Sequence, residues 1–174
     1  TPFTCDIAKI PNLKPAFGKD GTVTAASSSS ISDGAASLVV VSGDKARTGN
    51  LKPLARIVAY ASYAQAPEWF TTAPVGAMQA VLAKTGWKAD QVDLYEVNEA
   101  FACVAMAAIH DLKLDPARVN VNGGACALGH PIGATGARIL TTLVHALKRR
   151  GGKRGIASLC IGGGEATAVA IELV

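Results

Sequence analysis

The sequence predicts an α/β fold: a mixed, mostly parallel five-stranded sheet with helices on both faces. Three observations lead there. From Leu54 onward, short apolar runs alternate with longer segments whose apolar residues recur at helical spacing. The last two apolar runs are separated by a glycine turn, which reads as a hairpin. Apolar residues make up 49% of the 174 residues and charged residues 17%, enough for a sizeable core and unlike a disordered chain. The order βαβαβαββ implies parallel strands joined by helical crossovers, with the final hairpin adding an antiparallel strand.

Residues 1–34 are irregular, broken by Pro2, Pro11, Pro15, Gly18 and Gly21, with a turn at Lys19-Asp20-Gly21. The run Ser27-Ser28-Ser29-Ser30 has the composition of a linker, yet the apolar sequence on both sides argues for an ordered loop. Leu38-Val39-Val40-Val41 reads as a buried strand, and a short helix through Lys45 to Arg47 ends at Gly49. Ala55 to Tyr60 is the next expected strand. Pro74 to Lys84 is a helix carrying Val75, Met78, Val81 and Leu82 on one face, with Gly86 as its stop. Val92 to Val97 is a strand, and Glu99 to Leu112 a helix with Val104, Ala105, Ala108, Ile109 and Leu112 as its stripe. Val119 to Val121 is a short strand. Gly133 to Arg150 is a helix with Ile139, Leu140, Leu143, Val144 and Leu147 facing inward. Ile156 to Ile161 and Thr167 to Leu173 are the hairpin strands.

The formal charge of +4 comes from dispersed residues apart from Lys148-Arg149-Arg150 and Lys153-Arg154, which sit at a helix end where cations suit the dipole. No aromatics are interleaved with them, so a nucleic-acid partner is not expected. No apolar run reaches membrane-spanning length. Cys5, Cys103, Cys126 and Cys160 lack CxxC spacing, which argues against a zinc ribbon and favours reduced thiols in a cytoplasmic compartment. The opening Thr1-Pro2 carries no initiator Met and reads as a fragment or a processed product.

Three polar segments interrupt the apolar pattern, each at a strand–helix junction. Asn98-Glu99-Ala100-Phe101-Ala102 follows a strand, where active groups of open α/β sheets gather. Asn98 reads as a helix N-cap or as a group that anchors a water or polarises a carbonyl. The loop Asn122 to Arg138 is rich in Gly and holds His130 between Gly129 and Pro131, a poor place for a core histidine. Its glycine spacing matches neither a dinucleotide fingerprint nor a phosphate loop. His110 and His145 fall on helices as surface or boundary residues. Cys160 ends an apolar run and drops into Gly162-Gly163-Gly164. A buried packing cysteine is one reading. A thiol presented with free backbone N–H groups to a reacting centre is the other. As nucleophile or as base, Cys160 is compatible with both roles at this level.

Taken in order, Asn98 to Ala102, Gly129 to Arg138 and Cys160 to Gly164 resemble the thiolase family. The resemblance extends upstream through Leu13-Lys14-Pro15-Ala16-Phe17, Gly21-Thr22-Val23-Thr24-Ala25 and Ser32-Asp33-Gly34-Ala35-Ala36, and it is greatest to biosynthetic acetoacetyl-CoA thiolases. It implies acetyl transfer between CoA thioesters by Claisen condensation or thiolysis. In that scheme one Cys carries the acetyl group and a second Cys handles the proton on the α-carbon or the CoA sulfur.

By the resemblance Cys160 is the second Cys, and His130 stabilises a thioester oxyanion and supports the nucleophile. Asn98 holds a water in the same oxyanion hole, and the N–H of Gly162 belongs to a second one. Phe17, Ala25 and Ser29 line the pantetheine of CoA, and Phe101 the acyl pocket. Coenzyme A is a substrate, and no further cofactor or metal is implied.

The family's nucleophilic Cys lies in an N-terminal half that is missing here, and Cys5 sits in no matching motif. The resemblance therefore divides the chain into a CoA-binding loop segment (residues 1–34), the last strand and helix of an otherwise missing N-terminal domain (35–51) and a C-terminal thiolase domain (52–174). The expected partners are acetyl-CoA or CoA, the missing N-terminal half and, when complete, further copies in a homo-oligomer. The isolated chain is expected to be inactive. Phe70-Thr71-Thr72-Ala73-Pro74 stands where many thiolases have Met-Gly-x-Gly-Pro, beside the acyl pocket. Cys126 replaces an aliphatic residue and reads as packing, and Glu165-Ala166 also departs from the pattern. The alternatives are a degradative 3-ketoacyl-CoA thiolase of fatty-acid oxidation and a non-catalytic CoA-binding module.

Overall fold

The structure, a computed structural model, describes residues 4–174. Its helices are α1 (Gly43–Thr48), α2 (Ala73–Thr85), α3 (Ala102–Asp111), α4 (Ala125–Leu128) and α5 (Thr135–Arg150). Its strands are β1 (Ala55–Ala64), β2 (Leu94–Val97), β3 (Arg154–Ile161) and β4 (Glu165–Leu173). They form one sheet in the order β1-β4-β3-β2. The α/β class with helices on both faces holds, with four strands rather than five.

Side-chain alternation sorts the sheet into two cores. Tyr95, Val97, Ile156, Cys160, Ala166, Ala168 and Ala170 lie with the buried residues of α2 and α3. Leu94, Ala157 and Ile171 lie with Ile139, Leu143, Val144 and Leu147 of α5. Of the expected α5 stripe, Ile139, Leu143, Val144 and Leu147 are buried and Leu140 only partly so, and each fully buried Leu or Ile there contributes roughly 1.5–3 kcal/mol.

The balance of parallel and antiparallel pairing differs from the expectation. β1, β2 and β3 do run in one direction, but β4 inserts between β1 and β3. Only β2–β3 is therefore a parallel pair, while β1–β4 and β3–β4 are antiparallel.

Two expected strands do not form. Val119 makes a single parallel bridge to Tyr95. Asn120 then turns left-handed at φ 48°, and its side-chain amide takes the backbone bonds of Val97, accepting from the N–H and donating to the carbonyl at 2.8 Å each. A side chain thus occupies the edge that a strand would extend. Leu38 to Val41 form no strand either, and Val39 is 91% exposed. An apolar run becomes a strand only against a partner for its N–H and C=O groups, and no partner strand stands beside it among the described residues.

The helix expected from Glu99 begins at Ala102, with Phe101 at its N-cap position. Asn98 is thereby removed from a capping role and left at the strand end. The β3–β4 hairpin turns through the three glycines. Gly164 has φ +100°, and a Cβ there would overlap the carbonyl oxygen of Gln65, so only glycine fits. No helix among the described residues is long and apolar enough to cross a membrane.

Candidate active site

β2 and β3 are parallel neighbours, so their carboxyl ends open at the same edge of the sheet. Asn98, one residue past β2, donates its backbone N–H to the Ser158 carbonyl at 2.9 Å. Cys160 lies two residues further along β3. Asn98 and Cys160, two of the three expected polar groups, thus both stand at the carboxyl ends of neighbouring parallel strands, where the polar groups of open α/β sheets gather.

The third arrives on the loop between α4 and α5. His130 is half-buried, and its Nε2 stands 3.4 Å from Asn98 Nδ2, a long hydrogen bond. Its Nδ1 is 2.7 Å from Thr135 Oγ1 at the start of α5. Burial, then the Arg138 guanidinium, hold the imidazole below its ordinary pKa, so the ring is neutral at pH 7. Asn98 is 1% exposed, and its Oδ1 has no hydrogen-bond partner among the described residues. A buried carbonyl oxygen and an imidazole nitrogen are therefore available side by side.

The serine run stitches this centre to the N-terminal segment. Ser29 donates to the Ala100 carbonyl from both its backbone N–H (3.1 Å) and its hydroxyl (3.0 Å). Ala102 N–H donates to Ser27, and His130 N–H to the Ser30 carbonyl. The run is an ordered loop seated on both functional segments. Gly129 permits this approach: its φ is +93°, and a Cβ would overlap the Ser32 side chain.

Phe17 and Phe70 each meet Phe101 edge-on, with ring centroids 6.1 and 6.2 Å apart. Phe17 remains 78% exposed. Ala25 lies exposed in a turn closed by Ser27 N–H on the Thr24 carbonyl. Gly162 occupies the exposed tip of the hairpin, and an added Cβ there would meet nothing within 4 Å.

Cys160 is buried in the core that Phe70, Ala100 and Phe101 also pack against. Burial pushes its thiol up to about 11, with the neighbouring Cys103 adding to the shift, so it rests protonated at neutral pH. Cys126 is half-buried, and its thiol donates to the Glu99 carbonyl oxygen at 3.7 Å, which fits a packing role. His110 and His145 are exposed.

Sequence reasoning passed over Thr135, Glu96 and the role of Glu99. Glu99 bolts two loops together, accepting from Asn120 Nδ2 (3.3 Å) and from the backbone N–H of Cys126 (3.2 Å). Glu96 is 2% exposed on the α5 face of β2, 3.7 Å from Arg138. Its signal was a charge inside an otherwise apolar strand. Burial raises the Glu96 carboxyl to about 7, against the opposing pull of Arg138.

A carboxyl that is harder to ionise when folded stabilises the fold below its unfolded value of 4.5, and this stability is lost as pH rises through about 7. Denaturation midpoints should therefore fall between these pH values. Glu96→Gln should flatten the slope, and an unchanged slope would show that Arg138 already holds the carboxylate ionised.

Residues 51–173 match the thiolase C-terminal domain family, and residues 3–44 match the thiolase N-terminal domain family. The chain belongs to the thiolase family. It is 54% identical over 170 residues to acetyl-CoA acetyltransferase 2 of Arabidopsis thaliana, covering 97% of this chain and 42% of that relative. The crystal structure of the Bacillus anthracis acetyl-CoA acetyltransferase superposes with a TM-score of 0.95 at 48% identity, covering 98% of this chain and 43% of that one. Human mitochondrial 3-ketoacyl-CoA thiolase in complex with CoA matches with a TM-score of 0.91 at 43% identity, again over 98% of this chain and 43% of that one. This thiolase-family chain thus spans about two fifths of the length of these relatives.

Proposed function

We propose that this chain supplies the C-terminal half of an acetyl-CoA acetyltransferase active site, which moves acetyl between CoA thioesters. The reading is carried by the Asn98–His130 pair at the end of β2, held 3.4 Å apart and seated on the serine loop. The names of the relatives support acetyl-CoA as substrate. The degradative 3-ketoacyl-CoA reading is the weaker one, since the relative so named is 43% identical against 54% for the acetyltransferase. The four free cysteines fit a reducing, cytoplasmic compartment.

In this proposal a thiol outside residues 1–174 carries the acetyl group, so the exposed Leu38 to Val41 would meet the domain that bears it. His130 takes that thiol's proton and then donates to the thioester oxyanion, with Asn98 holding a water beside it. Cys160 starts as a thiol and gives its proton to the departing CoA sulfur. The resulting thiolate takes a proton from the α-carbon of the second acetyl-CoA, which returns Cys160 to the thiol. The N–H of Gly162 donates to the second oxyanion. Phe17, Ala25 and Ser29 line the pantetheine path, and Phe101 the acyl pocket. CoA enters as substrate, and the working enzyme is a homo-oligomer.

The test is intact-mass analysis after incubation with acetyl-CoA. Residues 1–174 alone should gain no acetyl group, and adding a thiolase N-terminal half should restore acetyl transfer. Acetylation of the isolated chain that disappears in Cys160→Ala would overturn the assignment of Cys160.

A further inference from the structure

Thr135 is 1% exposed, in the first turn of α5, and its hydroxyl carries a single hydrogen. That hydrogen goes to the Pro131 carbonyl, 3.0 Å away. With that hydrogen on Pro131, the oxygen is left as the acceptor in the 2.7 Å contact with His130 Nδ1, and Nδ1–H is the donor. On the far side of the ring, the Asn98 amide points Nδ2–H at Nε2, which can accept only if it carries a lone pair. With the hydroxyl hydrogen on Pro131 and the Asn98 Nδ2 toward the ring, both neighbours fit the same neutral ring, with the proton on Nδ1 and the lone pair on Nε2. A free histidine side chain favours the opposite tautomer, so the protein imposes this one.

We propose that Thr135 is a positioning residue that locks His130 in the Nδ1–H tautomer and aims its Nε2 lone pair into the site. This inference deepens the acetyl-transfer reading and, for its chemical consequence, rests on it. With Nε2 unprotonated, the S–H of a substrate-attacking thiol can displace the long 3.4 Å contact from Asn98 and pass its proton to the ring. The S–H bond breaks, the Nε2–H bond forms, and the imidazolium now donates on both sides: Nδ1–H still to Thr135, Nε2–H to the thioester oxyanion. The opposite tautomer offers Nε2–H from the outset and has no lone pair there for the thiol proton. Pro131 completes the device, because its carbonyl occupies the only hydroxyl hydrogen and also receives the Ala134 N–H at 2.8 Å, anchoring the turn that leads into α5.

Long-range 1H–15N correlation spectra of the 15N-labelled protein, recorded without substrate, read the tautomer directly. The expected result is a pyrrole-type Nδ1 and a pyridine-type Nε2 on His130. Thr135→Ser should preserve the pattern and Thr135→Val should move it toward Nε2–H. A pyridine-type Nδ1 in the unsubstituted protein overturns the proposal, as does a Thr135→Val spectrum identical to it. If Thr135→Val fails to fold, the unsubstituted and serine spectra still decide. In the enzyme assembled with its N-terminal half, Thr135→Val should lower kcat by about tenfold to a hundredfold at similar KM, with serine restoring most of it. That is the range found when the partner behind a metal-ligating histidine is removed. Because the tautomer is measured without turnover, an Nδ1–H ring in an inactive assembly would overturn the acetyl-transfer reading alone.

Discussion

His130→Ala in the assembled enzyme is expected to lower acetyl transfer by about a thousandfold to ten-thousandfold. The imidazole serves twice in the proposed cycle, as the base for the attacking thiol and as a donor to the oxyanion. Proton transfer by a placed side chain contributes about 10²–10⁴-fold, and one oxyanion donor about 10²–10³-fold. The two contributions share one ring, so they do not multiply in full. The substitution should slow formation of the acetyl-enzyme itself, measured as the burst of CoA release on mixing with acetyl-CoA. Fold and CoA binding should persist, because His130 is only half-buried and the loop is also held by backbone bonds to Ser30. A normal burst would place His130 outside the acylation step.

Cys160→Ser should have the second largest effect, about a thousandfold on turnover, but at a different step. Serine keeps the size and the backbone while raising the proton affinity of the anion far above that of a thiolate. CoA can depart as a thiolate without a strong acid, so the acetyl-enzyme should still accumulate and be visible by intact mass, while abstraction of the α-proton fails. The buried thiol, at about 11, also predicts a resting enzyme that is insensitive to alkylating reagents at Cys160 near neutral pH. Loss of the acetyl-enzyme in Cys160→Ser would show that protonation of the departing CoA sulfur by Cys160, and not only removal of the α-proton, limits the cycle.

The local elements were legible because their signals are local. The α5 stripe of Ile139, Leu143 and Leu147 repeats at helical spacing, and the structure buries those residues. Gly86 and Gly49 stop the helices they were expected to stop. Asn98, His130 and Cys160 stood out because each interrupts or ends an apolar run beside residues that cannot fill a core. Thr135 carried no such signal. It is an ordinary residue at a helix start, and its meaning depends on a ring nitrogen five positions earlier that only the folded turn brings to 2.7 Å. Glu99 likewise reads as a first-turn helix acid, whereas the structure uses it to hold Asn120 and the Cys126 backbone.

By itself the sequence determined the α/β class, the approximate extents of α2 and α5, and the polar segments holding Asn98 and His130 that the structure brings together. These rest on periodicity, on helix stops and on residue types, all of which act over a few residues. The tertiary structure alone decided the order of the strands. β4 folds back as a hairpin and slips between β1 and β3, so three strands that run the same way become one parallel and two antiparallel pairs. It also decided that Val119 to Val121 would yield its edge to the Asn120 side chain, and that Leu38 to Val41 would stay unpaired. Pairing is a contest among distant segments for the same N–H and C=O groups, and a segment's own residues cannot say which competitor reaches them.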